Sequence, residues 1–188
     1  MSPLMQKILE ESKNLKKIIG IRKYNAGDDL YVGYIVDYSD SLFLMQHITK
    51  YGEKDGFIVE RLDSIESVET DDDYVNSYQF LVKNTDKIRE QSIDSFNLPD
   101  EQNWQYEILK VLFEQGDIIT VELNNDDLVV HGYIADFDED FLKLKPIDKL
   151  GNPEGFTLYK LSDISGLTIG SQESRKRQAF VEWKANPK

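Results

Sequence analysis

The spacing of apolar residues changes period along the first ninety positions, and each change marks a new element. After Ser2-Pro3, a serine cap followed by proline at the first helical position, Leu4, Ile8 and Leu15 fall at helical spacing. Residues 17–24 and 30–37 then read as strands joined by a turn at Asn25-Ala26-Gly27-Asp28. In the second strand Tyr31, Gly33, Ile35 and Asp37 point one way, and Leu30, Val32, Tyr34 and Val36 the other. A turn at Ser39-Asp40-Ser41 leads into a strand over 42–49. A glycine-containing loop covers 50–56, and strands over 57–61 and 64–69 bring the number to five. A helix is predicted over 73–91, with Tyr74, Tyr78 and Leu81 spaced for packing.

The plan then recurs. Asn97-Leu98-Pro99 opens a helix in which Trp104, Ile108, Val111 and Leu112 share helical spacing, and strands follow at 117–123, 128–136, 141–147, 156–160 and 164–169. A last helix over 172–184 carries Ala179, Phe180 and Trp183. Residues 33–68 align without a gap on 132–167, and 11 of 36 positions are identical, where average residue usage gives about two. The shared positions include Gly33/Gly132, Tyr34/Tyr133, Ile35/Ile134, Asp37/Asp136, Gly52/Gly151, Gly56/Gly155, Phe57/Phe156, Leu62/Leu161 and Ile65/Ile164. A repeat of this length is a duplicated small domain. The expected division is 1–94 and 95–188, with 92–102 as linker. The expected fold is mainly β with helices (α+β): two small curled barrels, each with an N-terminal and a C-terminal helix.

A helix followed by five short strands, with a glycine in the second, resembles the Sm-like (SH3-like) small barrel. Gly132, Ile134, Phe137-Asp138 and Leu142/Leu144 follow the order of the first Sm motif, and Gly33, Ile35, Tyr38-Ser39 and Leu42/Leu44 follow it less closely. The resemblance covers about 55–70 residues of each half and implies two barrels in tandem. It implies no RNA site. The family's base-contacting asparagine of the third strand is replaced by Phe43 or Leu142. In place of the basic residue and glycine of the second motif stand Leu62-Asp63-Ser64-Ile65 and Leu161-Ser162-Asp163-Ile164.

Composition narrows the function. The 188 residues contain no cysteine, which removes disulfides, thiol nucleophiles and cysteine-held zinc. The net charge is −13, divided as −6 over 1–94 and −7 over 95–188. Nucleic acid is bound largely by neutralising phosphates, so an acidic chain disfavours it, and anionic membranes likewise. The charged N-terminus and the lack of a long apolar run point to a cytoplasmic protein without a membrane span.

Candidate chemistry is sparse. Asp136-Phe-Asp138-Glu-Asp140 starts like a calcium loop, but Phe141 and Ile147 stand where that loop needs glycine and glutamate, so a hairpin tip is the expectation. Asp37 and Asp136 are expected to accept turn N–H groups. The two histidines, His47 and His131, do not occupy equivalent places in the repeat, and no nucleophile or phosphate-loop motif accompanies them. Arg175-Lys176-Arg177, beside Phe180 and Trp183, is the one dense basic cluster and the only candidate nucleic-acid contact, against the plainer reading of a solvated helix face. Tyr34, Phe57, Tyr133 and Phe156 recur in both halves as a candidate ligand groove or as core anchors. The expectation is a non-enzymatic interaction or assembly module without cofactors that binds a protein partner or itself as a homo-oligomer. An RNA-binding Sm-like protein and a small-ligand sensor are the alternatives.

Overall fold

Ser2 caps the first helix as its position predicts: its Oγ accepts the Met5 N–H at 3.2 Å, and Pro3 opens α1 (Pro3–Leu15). Lys16 ends that helix in the left-handed conformation, at φ 50°. The structure, a computed structural model, describes residues 1–27, 29–89, 103–124 and 128–186. The expected 94/95 boundary, the linker at 92–102 and the helix start at Asn97-Leu98-Pro99 lie outside the described residues. The chain divides into two units, Met1–Thr85 and Asp86–Lys188.

In the first unit α1 is followed by β1 (Ile19–Lys23), β2 (Leu30–Tyr38), β3 (Leu42–Ile48), β4 (Lys54–Arg61), a one-turn 3-10 segment (Leu62–Ser64), β5 (Ile65–Glu69) and α2 (Asp73–Lys83). The strands form one antiparallel sheet in the order β4-β3-β2-β1-β5. Both faces of β2 are used, as its alternation predicts. Ile35 joins Leu9, Ile19, Ile21, Phe43 and Met45 under α1, while Val32 joins Ile18, Ile48, Val75 and Tyr78 under α2. Each of these aliphatic side chains contributes about 1.5–3 kcal/mol by leaving water.

Gly33 shows how the sheet bends. A Cβ at this position would lie 2.0 Å from the Gln46 carbonyl oxygen, so only glycine lets β2 press this closely on β3. Two residues later the β2–β3 register shifts between Ile35 and Asp37, a bulge that adds local twist. The Ile35 N–H at the bulge donates to Ser12 Oγ of α1 at 2.9 Å, which ties the helix to the bend. The result is a curled sheet whose two edge strands, β4 and β5, are joined directly by the 3-10 segment.

The second unit repeats these devices. After α3 (Thr85–Arg89), which begins at the unit boundary, come α4 (Trp104–Gln115), β6 (Ile119–Leu123), β7 (Val129–Phe137), β8 (Phe141–Pro146), β9 (Thr157–Lys160), a 3-10 segment (Leu161–Asp163), β10 (Ile164–Thr168) and α5 (Gln172–Ala185). The order β10-β6-β7-β8-β9 is that of the first sheet, read from the opposite edge. A Cβ on Gly132 would lie 2.5 Å from the Lys145 carbonyl oxygen, and a bulge follows between Ile134 and Asp136. Gly52 and Gly151 share φ +81°, and their missing Cβ atoms make room for Leu81 of α2 and Phe180 of α5 respectively. The duplication therefore extends from 33–68 and 132–167 to the flanking helices.

Two expectations are corrected. The fold is mixed α+β, with two five-stranded antiparallel sheets and five helices among the described residues, but the sheets are not closed into barrels. Among the described residues β4 pairs only with β3 and β5 only with β1, and the 3-10 backbone bonds elsewhere, Leu62 N to Ser41 O and Tyr24 N to Ser64 O. The helix predicted over 73–91 stops at Lys83. Asn84 Nδ2 donates to Phe80 O at 2.9 Å, and Thr85 Oγ1 bonds Leu81 O and Val82 O at 3.1 Å each, local competition that ends α2 before α3 begins.

Candidate interaction surface

β4 and β9 each lie at an edge of their sheet, with one side of the backbone unpaired by any strand among the described residues. Phe57 and Val59 stand opposite Gln46 and Leu44 of β3, so all four share one face. Phe57 is 64% exposed and Val59 63%. The same two places in the second unit hold Phe156, 61% exposed, and Leu158, 65%. These four are more exposed than the other uncovered apolar residues of the strands, Leu42 at 43%, Val129 at 50% and Phe141 at 38%, so the same uncovered pair at the same place in both copies is the surface feature most in need of a reason.

The surroundings differ between the two copies. In the first, Leu44 continues the apolar strip, and charges flank it. His47 Nδ1 lies 3.5 Å from Asp55 Oδ2, Lys23 Nζ 2.7 Å from Glu60, and the Arg61 fork holds both oxygens of Asp63, at 2.8 and 2.6 Å. The Asp63 bond keeps the Arg61 guanidinium above its usual range, and Arg61 in turn holds Asp63 below the ordinary carboxylate range. In the second copy Lys143 stands where Leu44 does, opposite Leu158, with its Nζ 4.9 Å from the centre of the Phe156 ring. Pro146 and Pro153 flank this edge, and β9 runs four residues against eight in β4.

The expected groove aromatics are arranged differently from a pocket. Tyr34, Gln46 and Phe57 form one row across β2, β3 and β4, so Gln46 separates the two rings, and its Nε2 donates to Gly56 O at 2.6 Å. Tyr34 packs beside α2. Tyr133 donates its hydroxyl to Gln178 Oε1 of α5 at 2.8 Å, and burial, followed by the nearby Glu182 charge, raises its pKa.

The basic cluster of α5 turns inward rather than forming a solvated face. Arg175 donates to the carbonyl oxygens of Ile88, at 2.7 Å, and of Gly170. Lys176, with 7% of its side chain exposed, lies 2.9 Å from Glu173, and Arg177, at 13%, reaches the same carboxylate at 3.2 Å and Ile147 O at 2.5 Å. Arg177 also lines a groove of about 370 Å³ with His131, Pro146, Thr157 and Tyr159, and its buried Nε has no hydrogen-bond partner among the described residues.

The remaining candidates make structural contacts. Asp37 Oδ1 accepts the Tyr38 N–H at 3.0 Å and Asp136 Oδ1 the Phe137 N–H at 2.9 Å, the turn role their positions suggest. Lys13 at 2.6 Å, together with that N–H, holds Asp37 below the usual carboxylate range. Asp138 accepts Asp140 N and Phe141 N, so the acidic run is a hairpin tip. His131 Nδ1 meets Thr120 Oγ1 at 2.9 Å, and the buried Thr120 meets the buried Ser174 at 3.1 Å, a polar chain where the first unit has Val32, Gly20 and Val75.

No family model, curated protein or solved structure matches the chain. Among the described residues no helix is long and apolar enough to cross a membrane, and no three His, Asp or Glu side chains gather to hold a metal ion. The sequence reading singled out Phe57 and Phe156 but missed Val59 and Leu158. The signal was the apolar residue two places after each repeated phenylalanine, where the two outward rows of one strand face coincide.

Proposed function

We propose that the chain is a non-catalytic interaction module made of two open variants of the Sm-like small barrel, with its contact surface at the outer strands. One observation carries the reading: the same exposed apolar pair at the outer strand of both copies, Phe57 and Val59 within β4, and Phe156 just before β9 with Leu158 inside it. An edge strand left apolar is a liability for a lone molecule, and proteins normally blunt it. One left long and free of proline, as β4 is, is accounted for by a partner that covers it. The Sm-like part draws support from the strand order, the glycine pressed against the third strand and the 3-10 turn between the outer strands. A surface that reads nucleic acid needs available cations, and the three of α5 are spent inside the unit.

The test is affinity capture from the native cell with the full chain and with a quadruple variant, Phe57→Asp, Val59→Lys, Phe156→Asp and Leu158→Lys, together with the mass of each in solution. The reading expects the wild type to assemble or to retain a partner, and the folded quadruple variant to do neither. A wild type that stays monomeric and retains the same proteins as the variant would sink it.

A further inference from the structure

We infer that two copies of this chain join through the outer edge of β4, antiparallel and centred on Ile58, and that the matching edge of the second unit is blunted so that assembly stops at two. The inference rests on the reading of the outer strands as contact surfaces and names their partner.

The register follows from strand geometry. Residues facing each other in a regular antiparallel ladder turn their N–H and C=O groups the same way, either both toward or both away from each other. A symmetric pairing of one strand with its own copy must therefore be centred on a residue. Centred on Ile58, β4 places Phe57 opposite the partner's Val59 and Asp55 opposite the partner's Arg61, and symmetry makes each contact twice. Centred on Phe57, Asp55 meets the partner's Val59. Centred on Val59, Phe57 meets the partner's Arg61. Only the Ile58 register pairs apolar with apolar and acid with base together. Asp55 and Arg61 are each 67% exposed, their present neighbours being His47 and Asp63. At such exposure the charges select the register more than they add affinity. The main-chain ladder and the four-membered cluster of Phe57 and Val59 from both copies, continued by Leu44 of each, supply the affinity.

Closure follows from the differences between the units. Lys143 replaces Leu44 on the second sheet and sits over Phe156, while prolines 146 and 153 accompany an outer strand half as long. Lysine, proline and shortness are the devices that keep edges apart. One competent edge per chain gives an isologous pair, whereas two would give an open polymer.

The test is sedimentation and light scattering of the full chain across about 1–100 μM. The wild type is expected at twice its 21.8 kDa mass. Val59→Lys should raise the dimer dissociation constant about 30-fold or more, the loss typical of a central contact. Leu158→Lys, at the equally exposed site of the second unit, should leave it unchanged. Asp55→Arg and Arg61→Asp should each weaken the dimer, and the two together should restore it, which a merely misfolded variant would not do. A monomeric wild type overturns the inference while leaving the module reading to the capture experiment. Assembly sensitive to Leu158→Lys but not Val59→Lys, or growth beyond two chains, overturns it while the broader reading stands.

Discussion

Gly33 and Gly132 carry the bend of each sheet, and no neighbour can relieve a side chain there because the obstacle is backbone. Gly33→Ala should cost at least about 2 kcal/mol, within the range for forcing volume into a packed site, with Gly132→Ala somewhat milder, as its 2.5 Å clearance against 2.0 Å implies. Urea unfolding of both variants checks this, and an unchanged midpoint would contradict it. A second residue-scale case is the loop before the outer strand. Asp148 accepts Leu150 N at 2.9 Å and Asn152 N at 2.7 Å, where Thr49 accepts Tyr51 N and Glu53 N in the first unit. Burial raises the Asp148 pKa, but the bonds from Asn152 and Leu150 outweigh it, so the net direction is down. A carboxyl with a lowered folded pKa stabilises fully above its unfolded value of about 3.9 and loses that contribution as pH falls through the folded value. Asp148→Ala should therefore be less stable than wild type at neutral pH and approach it as pH falls below about 3.9, the unfolded reference value. Asp148→Thr should lose less throughout.

At the scale of elements, α5 shows where sequence and structure part. Its Arg175-Lys176-Arg177 run reads as a solvated face because charge is usually exposed. In the fold, Glu173 sits one turn before Lys176 and Arg177 and serves both, so the cations go inward as a set. Removing the shared carboxylate strands two buried cations, so Glu173→Ala should cost about 3–5 kcal/mol, whereas Lys176→Met should be neutral or stabilising. Equal losses from the two in chemical denaturation would refute the shared-carboxylate account. The strands were legible from their alternation and turns, and the cap of α1 from Ser2, whereas Asp72 and Ser171 emerge as the caps of α2 and α5 only in the structure. The break at Asn84 was not, because Phe80 to Lys83 keeps a helical composition. It depends on the Asn84 and Thr85 side chains bonding carbonyls of the preceding turn. The early start of β4 was hidden for a similar reason: Lys54, Asp55 and Gly56 lack strand propensity and are held by pairing with β3, Ile48 opposite Lys54.

For the whole molecule, the repeat makes the duplicated architecture readable in the sequence, since Gly33/Gly132 and Gly52/Gly151 mark the same close approaches twice. Whether the sheets close was not readable, because it depends on β4 and β5 meeting along their length rather than on either strand alone. Each unit has its own apolar clusters, so stability should be local to each. Hydrogen exchange of Glu173→Ala should show lost protection in β6–β10 with β1–β5 unchanged. Uniform loss across both units would contradict separate cores.

The most direct measurement of the contact surface is hydrogen–deuterium exchange of the wild type as its concentration rises from about 1 to 100 μM, a span that brackets a micromolar pair. The account predicts that amides of 54–61 become protected with concentration while those of 157–160 stay constant. Exchange at 54–61 that ignores concentration, or protection appearing at 157–160 in its place, would contradict it.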